Sequence, residues 1–197
     1  MKPSPTLKLP LCDPPVLIAV VDTEEQFDWQ DNFDRNATDV SALGEFSVMQ
    51  TLYESFGITP VYVLDYPMAT TRSSIEILRA LHNREKAELG IHLHTWVNPP
   101  FDEQVSSENS YQKNLPPALE FDKLTRLCTA FEQAFGFRPT VHKAGRYGLG
   151  EQTLSALSKL GIRVDLSVAS AFDFSLDGGP DYAACLPGPR WMCGGIL

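Results

Sequence analysis

Five short runs rich in aliphatic and β-branched residues alternate along the chain with segments whose apolar positions recur every three or four residues. The first run, about Val16 to Thr23, is continuously aliphatic from Val16 to Val21 and then turns acidic. That is the pattern of a buried strand, far too short to span a membrane. A loop of aromatic and acidic residues, Gln26 to Asn36, follows. Asp39 can cap a helix carrying Val40, Leu43, Phe46, Met49, Tyr53 and Phe56 on one face, with Gly57 to end it. Ile58 to Tyr66 reads as the second strand. A helix capped by Ser73 or Ser74, with Ile75, Leu78 and Leu81 on its inner stripe, leads to the third strand, Leu89 to Val97.

The polar loop from Asn98 to Pro117 is longer than an ordinary connection and has the length of a binding loop or lid. A third helix spans about Ala118 to Phe135, with Phe121, Leu124, Cys128, Phe131 and Phe135 inward and Gly136 as its stop. Thr140 to Arg146 is strand four, Gln152 to Leu160 is helix four ending at Gly161, and Ile162 to Val168 is strand five. Strict β-α alternation implies parallel strands joined by right-handed crossovers, either an open doubly wound sheet or a (β/α) barrel. No glycine-rich phosphate loop follows the first strand, which favours the barrel. In both architectures function gathers at the carboxyl ends of the strands.

Beyond strand five, Ser170 to Gly179 and Pro187 to Gly195 are irregular. Barrels of this kind usually need about 250 residues. The expectation is therefore one α/β domain over residues 16–197 that stops before its last strands, after a proline-rich, loosely packed leader, 1–15.

The formal net charge of -9 and the lack of a Lys/Arg run argue against a nucleic-acid or anionic-membrane partner and favour a neutral sugar or small molecule. Cys12, Cys128, Cys185 and Cys193 show no paired CxxC spacing, so free thiols in a reducing compartment, the cytoplasm, are expected. The sequence leaves the oligomeric state open.

Two of the four histidines, His92 and His94, fall in strand three. Strand side chains alternate, so these two share one face while Ile91 and Leu93 take the other. Histidine pairs in strands also occur as hydrogen-bonded barrel fillers. Here, however, Asp22 and Glu24 repeat the same spacing at the end of strand one, so two carboxylates and two imidazoles can meet in one mouth. A cation held by one carboxylate and the histidines would acidify its water, and the second carboxylate could take the proton.

Strand four brings His142, Lys143, Arg146 and Tyr147. Arg146 is placed to orient the catalytic acid or a substrate oxygen, whereas His142 reads as a core or supporting residue. The segment Gly148-Leu149-Gly150 also reads as a plain strand-to-helix turn. Asp165 on strand five is expected to pair with Arg146 or Lys143 in the mouth, as catalytic support or as a salt bridge. Trp96, Pro99, Pro100 and Phe101, with Phe27 and Trp29, put aromatic groups around the rim, where sugar rings could stack. Ordinary loop packing is the commoner use of such residues.

Taken in order, VVDTEEQFDW, ELGIHLHTWVNPP and HKAGRYGLG with LSALSKLGIRVDLSV resemble the polysaccharide deacetylases of carbohydrate esterase family 4. The branch accompanying bacterial exopolysaccharide biosynthesis is the most similar, and the likeness spans about Val16 to Val168. It implies a distorted (β/α) barrel and metal-dependent removal of N- or O-acetyl groups from a glycan. By position, Asp22 matches the general base and His92 the first metal histidine. Glu24 matches the metal-binding acid, which in many members adjoins the base. The second histidine usually comes four residues later, where this chain has Trp96, so His94 takes that role.

Lys143 occupies the place of an arginine that braces the base, with Arg146 close by. A backbone N–H near Arg146 or Tyr147 would complete an oxyanion hole, and Trp29, Trp96 and Tyr147 are the expected substrate contacts. The family's last motif, with its general-acid histidine, has no match, so the chain is expected to be impaired. Zinc is the expected ion, with other first-row metals as alternatives. Two other readings are a catalytically inactive glycan-binding barrel and a metallohydrolase acting on small-molecule amides. In the best-known class of the latter, an HxH pair follows the first strand.

Overall fold

Residues 16–190 are described by a computed structural model. The expected leader with Cys12, and the segment from Trp191 onward with Cys193, lie outside the described residues. All five predicted strands form: β1 (Val20–Thr23), β2 (Val61–Leu64), β3 (Glu88–Leu93), β4 (Val141–Ala144) and β5 (Val164–Asp165). They pair in parallel in the order 1-2-3-4-5. Sequential order without a reversal is the winding of a (β/α) barrel, left open among the described residues between β5 and β1. Among the described residues, six helices connect and cover the strands: α1 (Phe46–Ser55), α2 (Tyr66–Thr70), α3 (Arg72–Asn83), α4 (Ser107–Ser110), α5 (Pro117–Phe135) and α6 (Glu151–Leu160). Among the described residues no helix is long and apolar enough to cross a membrane.

Register decides which side chains can meet. Thr23, Leu64, Ile91, His142 and Asp165 form one row across the sheet, and this row faces the helices, with Leu64, Ile91 and His142 fully buried. The neighbouring rows contain Asp22 and the pair His92 and Lys143, which face the barrel interior. Strand four therefore sends Lys143 toward the interior and His142 into the helix layer.

Several boundaries differ from the sequence pattern for identifiable reasons. β2 pairs from Val61 onward, so Val16 to Ile18 have no strand opposite them and remain exposed. The expected first helix begins with a tight 3₁₀ turn, Ser41–Glu45, before α1. That change of pitch rotates the stripe: Val40 and Leu43 are buried, while Met49 and Phe56 turn outward. Gln50 is buried in their stead, its Oε1 accepting from the Tyr62 hydroxyl at 2.7 Å. Asp65, expected inside strand two, instead caps α2 by accepting from Met68 N–H at 2.8 Å. The helices ending at Gly136 and Gly161 do stop on left-handed glycines, with φ of 84° and 81°.

The long loop after β3 is pinned from below. Lys123 on α5 is fully buried, and its Nζ donates to the carbonyls of Thr95 (2.9 Å), Asn98 (2.6 Å) and Pro100 (2.6 Å) while pairing with Glu103 at 3.1 Å. A buried ammonium is tolerated only when so fully satisfied. The chain just past His94 is thereby held in place.

Candidate metal centre

β1 and β3 flank β2, and residues at their carboxyl ends converge across it. Glu24 Oε2 lies 3.2 Å from His92 Nε2 and 3.3 Å from His94 Nε2, and the two imidazole rings sit 4.7 Å apart. These three residues could hold a metal ion. His94 Nε2 is buried yet lacks a hydrogen-bond partner even with Glu24 so close. Two imidazole nitrogens and a carboxylate oxygen also form the donor set preferred by zinc and neighbouring first-row metals.

Each histidine is oriented through its other nitrogen. His92 Nδ1 lies 2.8 Å from the Lys143 carbonyl, which can only accept, so Nδ1 carries the proton and Nε2 the lone pair. His94 Nδ1 lies 2.9 Å from Glu25 Oε2. Burial alone would raise Glu24, but hydrogen bonding and charge from His92 and His94 outweigh it and hold the carboxyl well below its ordinary range. Burial lowers His92 below the usual imidazole value. It also acts against charge on His94, where Glu25 and then Glu24 prevail and raise the ring to about 10.

These directions define a proton balance. At neutral pH, without metal, Glu24 is ionised, His92 is neutral and His94 is charged, so binding a cation at His94 Nε2 must release close to one proton. Zinc affinity, measured by competition with a chromophoric chelator, is expected to rise about tenfold per pH unit between about pH 6.5 and about pH 8. A flat profile would remove His94 from the ligand set.

Asp22 sits on the same face, where Lys143 Nζ forms an ion pair with its Oδ2. The Asp22 side chain is 34% exposed, and its charge acts on the His92 ring. Lys143 also lies 4.5 Å above the Tyr147 ring. The turn after β4 passes so close to β3 that a Cβ on Gly145 would come within 2.4 Å of the Leu93 carbonyl and 2.7 Å of His94 Cδ2. Only glycine fits there. Arg146 and Tyr147 follow with φ of 52° and 58°, a left-handed pair of non-glycine residues whose strain is localised beside the site.

Three expected residues lie elsewhere than the sequence suggested. Arg146 turns away from Asp22: its guanidinium donates to Ser110 Oγ at 2.6 Å, pairs with Asp177 and stacks 4.1 Å from the Tyr111 ring. The strand ends at Ala144, and the left-handed turn that follows aims this side chain toward Ser110 and Asp177. Asp165 pairs with neither Arg146 nor Lys143; it sits in the helix-facing row, accepting from His142 Nδ1 and Ser167 Oγ, each at 2.7 Å. Trp96 is only 2% exposed and offers no surface to a sugar; its ring packs among Phe27, Phe33 and His94. The rim instead carries Trp29 and Tyr147, 54% and 37% exposed. Trp29 stands edge-on to His94 and, with Asn32, Phe33, Arg146 and Asp177, borders a cleft of about 360 Å³.

Glu25 escaped the sequence reading because alternation points it away from Asp22 and Glu24. β1 ends at Thr23, however, and by Glu25 the alternation no longer holds. The signal is a third acid within four residues at the end of a buried strand.

With this geometry the chain has the α/β fold of the carbohydrate esterase family 4 deacetylases, a distorted barrel, seen here as an open parallel sheet. No protein-family model and no curated protein matches the sequence. Solved structures do match. The family 4 carbohydrate esterase from Streptomyces lividans, in complex with acetate, aligns with a TM-score of 0.52 at 11% identity over 88% of this chain and 75% of that one. A mutant of a CE4 family pseudoenzyme with restored enzymatic activity aligns with a TM-score of 0.54 at 8% identity over 81% of this chain and 47% of that one. The peptidoglycan deacetylase PdaC from Bacillus subtilis aligns with a TM-score of 0.48 at 12% identity over 81% of this chain. The chain spans 62% of PdaC's length.

Proposed function

We propose that this chain carries the active site of a metal-dependent deacetylase that removes acetyl groups from a glycan, with zinc as its ion and an exopolysaccharide or its precursor as the substrate class. The observation that carries this reading is the convergence of Glu24, His92 and His94 beside an Asp22–Lys143 pair at the carboxyl ends of parallel strands. An ion held by Glu24, His92 and His94 would supply Lewis acidity to an acetyl carbonyl and to a water molecule.

The chain's own residues do the rest. Asp22 accepts the water's proton, and Lys143 keeps its carboxylate aimed through the ion pair at Oδ2. A backbone N–H of the strained Arg146–Tyr147 turn is the candidate oxyanion donor. Trp29 and Tyr147 offer exposed rings to the apolar faces of a sugar. The remaining histidines do not reach the site, because His142 lies in the helix layer and His82 bonds the Ala87 carbonyl at 3.1 Å. Having taken the water's proton, Asp22 is placed to return it to the departing group. The free thiols of Cys128 and Cys185 fit a cytoplasmic setting.

The test is acetate release from acetylated oligosaccharides, N-linked in a chitin oligomer and O-linked in acetylxylan. We expect turnover that stops on chelation and returns with zinc. A zinc-loaded chain that binds these glycans without releasing acetate would instead support the inactive glycan-binding barrel.

A further inference from the structure

Glu25 neither joins the convergence point of Glu24 nor meets solvent, being 2% exposed. Its carboxylate reaches His94 Nδ1 at 2.9 Å through Oε2 and 3.1 Å through Oε1, and Oε1 also accepts from Trp96 Nε1 at 2.9 Å. Its own N–H donates to Asp65 Oδ2 at 2.8 Å, which ties it to the cap of α2. The Trp96 ring stacks on His94 with centroids 4.2 Å apart and planes at 26°. Gly145 closes the Cδ2 edge of the same imidazole. His94 is therefore held at Nδ1 by a carboxylate, on its face by an indole and at its edge by backbone, and only Nε2 lacks a hydrogen-bond partner.

This support has a structural reason. β3 ends at Leu93, so His92 stands within the ladder but His94 lies one residue past it, where no strand pairing sets its direction. We propose that Glu25 and Trp96 are positioning residues for His94, a brace that makes a histidine pair spaced by two residues competent to hold a metal. This rests on the metal reading above. A carboxylate can only accept, so the brace keeps a proton on Nδ1 and leaves Nε2 as the nitrogen available to a metal, and outer-sphere carboxylates fix metal-binding imidazoles in this way. The alternative is a second, buried cation site formed by Glu25, Asp65 and His94 Nδ1. Against it, the Trp96 N–H already occupies Glu25 Oε1, and the His94–Glu25 separation is that of a hydrogen bond.

The experiment measures zinc stoichiometry and affinity, by competition with a chromophoric chelator, for the unsubstituted chain, Glu25→Gln, Trp96→Phe and Glu24→Ala, with folding checked by circular dichroism. One zinc per chain is expected. Glu25→Gln should weaken binding about 10–100-fold, and Trp96→Phe, which keeps the stacking and loses only the donor, by the lower end of that range. Nitrogen-15 NMR of the zinc-loaded, unsubstituted chain should show His94 bound through Nε2 with its proton on Nδ1. Affinities of the folded Glu25→Gln and Trp96→Phe chains equal to that of the parent would overturn the brace. So would zinc bound through Nδ1, or two zinc ions per chain of which Glu25→Gln loses one. A parent chain that binds no zinc would overturn the metal reading itself, and the brace with it.

Discussion

Removing the side chain of Glu24 or His92 is expected to abolish tight zinc binding and, with it, acetate release. Loss of an outer-sphere partner costs about 10–100-fold in affinity, and loss of a direct donor should exceed that. Glu24 matters most, because one oxygen serves both imidazoles at 3.2 and 3.3 Å. Without it, the two Nε2 atoms lose the one carboxylate oxygen that both approach, while their rings remain 4.7 Å apart. His82→Ala, on a helix end away from the site, is the control and should bind zinc like the parent. Full zinc affinity in Glu24→Ala would sink the assignment of these residues as donors.

Asp22→Asn separates proton transfer from ion binding. The substitution keeps the shape of the side chain but removes a base that stands beside the three donors and is not one of them. The catalytic rate should fall about 10²–10⁴-fold, the range for loss of a positioned general base. Zinc affinity should change by far less than in Glu24→Ala, and KM should move little, because the carboxylate acts on water and not on the sugar. A kcat within a few-fold of the parent would remove Asp22 from the mechanism.

Both predictions depend on residues that strand periodicity could locate. Asp22 and His92 lie inside ladders, where side chains must alternate, and Glu24 and His94 follow close enough to keep the direction. The α5 stripe was legible for the same reason, since Leu124 and Phe131 repeat within a long, uninterrupted helix. Periodicity lost its hold where the backbone left a repeat. Arg146 takes a left-handed conformation and points toward Asp177, and Glu25 swings back under His94 once β1 has ended. In Met49 and Phe56 the stripe was real, but a 3₁₀ turn rotated it. Asp165 failed differently: its alternation was sound, yet the face it belongs to could be assigned only by the register with His142. Trp96 could not be read as buried, since nothing local in the sequence reveals that Glu25 waits to accept its N–H.

The ammonium of Lys123, gathering three carbonyls just downstream of His94, has a consequence for how this architecture can diversify. The wall bearing the histidines is anchored from within the helix layer and has little freedom to drift. The opposite wall, bearing the exposed Trp29, belongs to a surface loop. Selection can therefore rewrite the segment around Trp29 and alter what the neighbouring cleft admits, while leaving the arrangement of His92 and His94 unchanged.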